Sequence, residues 1–86
     1  MAEIIQQYAQ QFQDENGAAY AVTAYGEPTA GGTWEGWLEF HPLDKTRPVM
    51  RTGRETTQPD RSALEYWASG LEPLYFEGAF ARARGK

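Results

Sequence analysis

The stretch Gly31 to Pro42, GGTWEGWLEFHP, carries two tryptophans, two glutamates and the single histidine of the chain. Read as a strand, it alternates, so Glu35, Trp37, Glu39 and His41 share one face while Trp34, Gly36, Leu38 and Phe40 share the other. Trp34 fills a core. Trp37, set among carboxylates, either lies across neighbouring strands as packing or anchors a partner, since tryptophan, tyrosine and arginine dominate interface hot spots. Tyr25 on the preceding strand and Arg51 or Arg54 on the following one complete such a patch. On a regular strand the two arginines fall on opposite faces, and both reach Trp37 only if Gly53 introduces a bulge. An Arg/Trp/Tyr patch suits a carboxylate or a phosphate, whereas one arginine beside Glu35 or Glu39 is an ordinary cross-strand ion pair.

Other chemistry is sparsely represented. His41 needs an oriented partner for general acid–base work, and Asp44 or Glu39 is the nearest in sequence, but no nucleophile motif accompanies them. One histidine and no cysteine, with scattered carboxylates, do not make the ligand spacing of a zinc site, and the twelve-residue calcium-loop pattern is absent. No metal or other cofactor is expected. The loop Gly26 to Gly32, GEPTAGG, lacks the lysine and following helix of a phosphate cradle. At Gly70 to Pro73, GLEP, the chain breaks between two apolar helices; this folds the last helix back on the sheet or leaves a groove around Tyr66, Trp67, Leu71, Tyr75 and Phe76.

The elements that must position these residues follow from periodicity. Ile4, Ile5, Tyr8 and Phe12 recur at helical spacing, which predicts a helix over Ala2 to Gln13, closed by Asn16-Gly17 and weakly docked. Ala18 to Tyr25 alternates as a strand, Thr33 to His41 is a second, and Pro48 to Thr57 is a weaker third. Proline in a first turn, Asp60 and a Leu64/Trp67/Leu71 stripe predict a helix ending at Gly70, and Pro73 to about Arg84 predicts another. The expectation is one α+β domain over residues 1–86, a three-stranded antiparallel meander with helices on one face in the order α-β-β-β-α-α. The other face is left solvated.

Composition bounds the function. The chain has 86 residues and a net charge of −4, which argues against a nucleic-acid or anionic-membrane surface. All eight basic residues, Lys45, Arg47, Arg51, Arg54, Arg61, Arg82, Arg84 and Lys86, lie in the second half, while Met1 to Asp44 carries acids only. The two halves either neutralise one another by packing or leave a surface dipole that steers a partner. No apolar run approaches the ~18–20 residues of a membrane span, no basic-then-apolar leader follows Met1, and the absence of cysteine suits a reducing compartment; the cytoplasm is expected.

The element order α-β-β-β-α resembles that of the double-stranded-RNA-binding domain, and the resemblance implies a nucleic-acid role. That family holds phosphates with a basic cluster opening the helix after the third strand, where this chain has TTQPDRSALEYW with Arg61 as its one basic residue. The reading that follows is a non-enzymatic protein-interaction module or accessory subunit. It uses the open face around Trp37, Tyr25, Glu35, Glu39, Arg51 and Arg54, with an unidentified protein partner or a second copy of the chain. A small enzyme or small-molecule-binding domain using His41 is the alternative.

Overall fold

The computed structural model describes residues 1–85; Lys86 lies outside the described residues. The chain runs through β1 (Glu3–Gln13), β2 (Ala19–Pro28), β3 (Trp34–Pro42), β4 (Met50–Arg51), β5 (Thr56–Gln58), α1 (Arg61–Ser69) and α2 (Pro73–Ala83). It forms one antiparallel sheet, β1-β2-β3-β4, with β5 also paired to β3, and both helices cover one face. The α+β class holds. The order is strands first, which removes the element order that carried the resemblance to the double-stranded-RNA-binding domain. No described helix is long and apolar enough to cross a membrane.

The predicted N-terminal helix is instead strand β1, paired with β2 from Glu3↔Gly26 to Gln13↔Ala19. The register slips between Ile4 and Gln6 and again between Gln7 and Gln11. These irregularities reset which side chains face the helices, so Ile5, Tyr8 and Phe12 all pack on the core. A strand interrupted in this way repeats its apolar residues at intervals of three and four, the spacing of a helix. Asn16-Gly17 caps no helix; it sits in the β1–β2 turn, with Gly17 at φ 82° and the Asp14 carboxylate accepting from Asn16 N and Ala18 N. β1 is no weak appendage. Its Tyr8 hydroxyl donates to the Ala68 carbonyl at 2.6 Å, and the Tyr8 and Phe12 rings contact Phe76 and Phe40.

Beneath the helices lie Tyr20, Val22 and Ala24 of β2 and Leu38 and Phe40 of β3, closed by Leu64 and Ala68 of α1 and Phe76, Ala79 and Phe80 of α2. Asp60 caps α1, accepting from Ala63 N at 2.8 Å, and Pro73 opens α2. Gly26 and Gly36 face each other across β2 and β3 and form the seat of Leu64. Trp34, expected in the core, is half-buried at the start of β3 with the Arg61 guanidinium 5.5 Å from its ring.

The third predicted strand is two short ones, because Gly53 and Arg54 bulge out of the ladder between Thr52 N, which donates to the Leu38 carbonyl at 2.9 Å, and Glu55 N, which donates to the Gly36 carbonyl at 2.8 Å. Thr52 is buried and bridges the gap: its Oγ1 accepts from Leu38 N at 3.1 Å and donates to the Gly53 carbonyl at 2.8 Å. The two halves of the sequence do pair charges: Arg61 with Glu3, Arg84 with Glu15 at 2.7 Å and Arg54 with Glu35 at 4.0 Å.

Two tyrosines give the fold an alkaline limit. Burial pushes the Tyr8 hydroxyl up to about 12, and burial together with the adjacent Glu55 does the same for Tyr75, whose hydroxyl donates to that carboxylate. Both folded values lie above the ordinary 10.0, so their contribution is complete below pH 10 and is lost as pH rises towards 12. Urea melts should therefore show lower stability between these limits than below them, and Tyr8→Phe/Tyr75→Phe should flatten that fall. An unchanged slope in the double variant would contradict the assignment.

Candidate functional site

The helix-free face gathers one compact group from three strands. Register places Tyr25 opposite Trp37, and Glu39 opposite both Thr23 and Arg51. Trp37 is only 3 % exposed, so it is no free anchor; it is shielded by the residues around it. The Tyr25 ring stacks beside it with centroids 6.3 Å apart and also stacks on His41 at 6.0 Å. The Arg51 guanidinium lies 4.1 Å from the indole centroid.

Glu39 ties the group together. One carboxylate oxygen accepts from Trp37 Nε1 at 2.9 Å, and the other is 3.1 Å from His41 Nε2. Its charge is spent inside the cluster rather than offered to solvent. Burial, then the charge of Glu39, raises the Tyr25 hydroxyl above its ordinary value. Arg51 Nε donates to the Thr52 carbonyl at 3.2 Å, while its terminal nitrogens bond to none of the described residues. The guanidinium carbon thus lies over the indole, while the residue as a whole is exposed.

The other residues read from the sequence are placed apart. Glu35 and Arg54 pair with each other at the opposite end of β3. The break at Thr52–Glu55 does bring Arg54 to the helix-free side, but beside Glu35 rather than Trp37. The helical corner divides as well. Phe76 is fully buried, Tyr75 turns to Glu55 and meets Trp67 edge-on, Leu71 packs on the core, and Tyr66 stands 83 % exposed.

Sequence reasoning missed a cleft at the end of β3. It has a volume of about 260 Å³ and is lined by His41, Pro42, Lys45, Arg47 and Val49. The segment PLDKTR reads simply as a turn; the available signal was two basic residues at alternate positions with one acid between Pro42 and Pro48. Asp44 does not close the cleft. It accepts from Thr46 N and Thr46 Oγ1, bonds that with the charge of Arg47 hold its carboxyl below the usual aspartate range.

Chemically, the face holds only part of a reactive site. A histidine paired with a carboxylate is an acid–base device when a reacting atom is within its reach, and here both Glu39 oxygens are committed to neighbours. Among the described residues no three histidine, aspartate or glutamate side chains converge as metal ligands. Comparison with protein-family models, with curated proteins and with solved structures finds no match to the chain. The functional reading therefore rests on this geometry.

Proposed function

We propose that this domain is a non-enzymatic binding module that docks an acidic segment of a protein partner on the helix-free face of its sheet. The observation that carries the reading is Arg51: its guanidinium lies over a buried tryptophan and is anchored through Nε on the Thr52 carbonyl, while its terminal nitrogens have no partner among the described residues. An arginine immobilised before binding loses less side-chain entropy when it meets a carboxylate, and its planar fork matches that group with two bonds. Tyr25 flanks it as a half-exposed aromatic contact, and Ile4, 49 % exposed and opposite Tyr25 on β1, extends the apolar part of the face. Trp37 supports the contact surface rather than forming it.

The test uses the full chain as bait, followed by affinity measurements on the captured partner. Arg51→Ala and Tyr25→Ala should each weaken binding by about 2 kcal/mol, the scale of an interface hot spot, with circular dichroism showing the fold retained and with the melting temperature lowered more by Tyr25→Ala, which uncovers Trp37. Binding should also weaken with salt, because the exposed arginine contact is screened over ~8 Å at physiological ionic strength. Retention of full affinity by both variants sinks the reading. Self-association abolished by the same two changes would replace the acidic partner with a second copy of the chain.

A further inference from the structure

The basic residues of this acidic chain are not used evenly. Arg61 is paired with Glu3 and Glu65, Arg82 with Glu55, Arg84 with Glu15 and Arg54 with Glu35. Among the described residues, Lys45, Arg47 and Arg51 have no carboxylate within ion-pairing distance, and all three fall within one seven-residue stretch after β3. Arg51 is stacked on Trp37. Lys45 and Arg47 instead line the cleft with His41, Pro42 and Val49.

We propose that this cleft is a binding site for a single oxyanion group, the carboxylate or phosphate monoester of a ligand. Its volume of about 260 Å³ is below the roughly 300–1,000 Å³ of pockets that enclose drug-sized ligands, so it suits one charged group and a short stem. The lining supplies two permanent cations and an imidazole, with no acid among the five residues. The acids beside it in sequence direct their carboxylates to other groups: Asp44 accepts from Thr46, and Glu39 meets Trp37 and His41. Backbone donors, Ala18 N for Asp14 and Thr46 N for Asp44, are the chief cause of their lowered carboxyls; the charge of Arg47 adds a smaller share, and neither forms an ion pair with it.

The walls are held in place. Leu43 N donates to the Ala19 carbonyl at 2.9 Å, and Arg47 N donates to the Asp44 carbonyl at 3.2 Å, closing the turn that carries both cations. Pro42 and the half-exposed Val49 supply apolar sides against which the stem of a bound group loses water. The proposal goes beyond the docking reading, since the cleft would take a free anion with no protein partner present.

The experiment is a nuclear magnetic resonance titration of the full chain with inorganic phosphate and, separately, with acetate, against chloride at matched ionic strength. Saturable shifts are expected at the His41 imidazole and at the Lys45, Arg47 and Val49 amides, absent with chloride. Lys45→Ala and Arg47→Ala should each weaken the affinity by about tenfold, the loss of one charge-assisted bond. Preference for phosphate assigns a phosphate monoester, and equal or tighter acetate binding assigns a carboxylate. Arg51→Ala should leave anion affinity within about twofold, because a single exposed charge outside the cleft is largely screened; this separates the cleft from the docking face. Shifts that chloride reproduces, that do not saturate, or that survive both Lys45→Ala and Arg47→Ala overturn the site.

Discussion

Trp37→Ala is expected to lower the unfolding free energy by about 3–5 kcal/mol, the range for truncating a buried large aromatic. Trp34→Ala should cost appreciably less. The two tryptophans are three residues apart on β3 and occupy opposite faces, and it is the one away from the helices that is the more deeply buried. Removing Trp37 would strip Tyr25 and Arg51 of the surface they lie against and release one oxygen of Glu39. Trp34 is half-buried beside Arg61 at the end of its strand, so its loss leaves a site that water and neighbouring side chains can fill. Paired urea melts decide the matter, and equal losses, or a larger loss at Trp34, would overturn the burial assignment. The same expectation makes Trp37→Ala a poor probe of binding, for which the exposed Arg51 is better suited.

The second large effect lies on the helix side, where Gly26 and Gly36 accommodate Leu64. A Cβ on Gly26 would overlap Leu64 Cδ2 and come within 3.0 Å of the Glu35 carbonyl oxygen; one on Gly36 would lie 2.6 Å from Leu64 Cδ1 and 3.1 Å from Thr56 Cγ2. Leu64 is fully buried, so any shift of its methyls must be taken up by the side chains packed around it. Gly26→Ala and Gly36→Ala should therefore each destabilise by about 1–3 kcal/mol through overpacking, and Leu64→Ala by about 2–5 kcal/mol through the cavity it leaves. Combining Gly26→Ala with Leu64→Ala should cost less than the sum, with a coupling on the order of 1 kcal/mol or more, because the shortened side chain removes the clash. Additive losses in the double-mutant cycle would show that Leu64 is not seated on these glycines.

Much of this architecture is legible in local pattern. The strands β2 and β3, the two helices with their break at Gly70 to Pro73, and the α+β class follow from alternation, proline and glycine placement and helical stripes, all of which act over a few neighbouring residues. The division of β3 into a Leu38/Phe40 face and a Trp37/Glu39/His41 face is equally local, since the period of a strand leaves no choice. Tyr25, Trp37, Glu39 and Arg51 could be proposed together because neighbouring antiparallel strands place them on one face.

What required the tertiary structure is whatever depends on register. The irregularities of β1 are set by its pairing with β2, and without that partner Ile5, Tyr8 and Phe12 carry the period of a helix. The bulge at Gly53 and Arg54, which divides the third strand and separates Arg54 from Trp37, depends on the fit of Thr52 against Leu38. Burial of Trp37 on the helix-free face comes from side chains on two other strands, and the cleft at Lys45 and Arg47 from a loop closing beside His41. Composition and spacing state which groups a chain owns. Which charges remain unpaired, and where they meet, is settled only when distant segments consume the others.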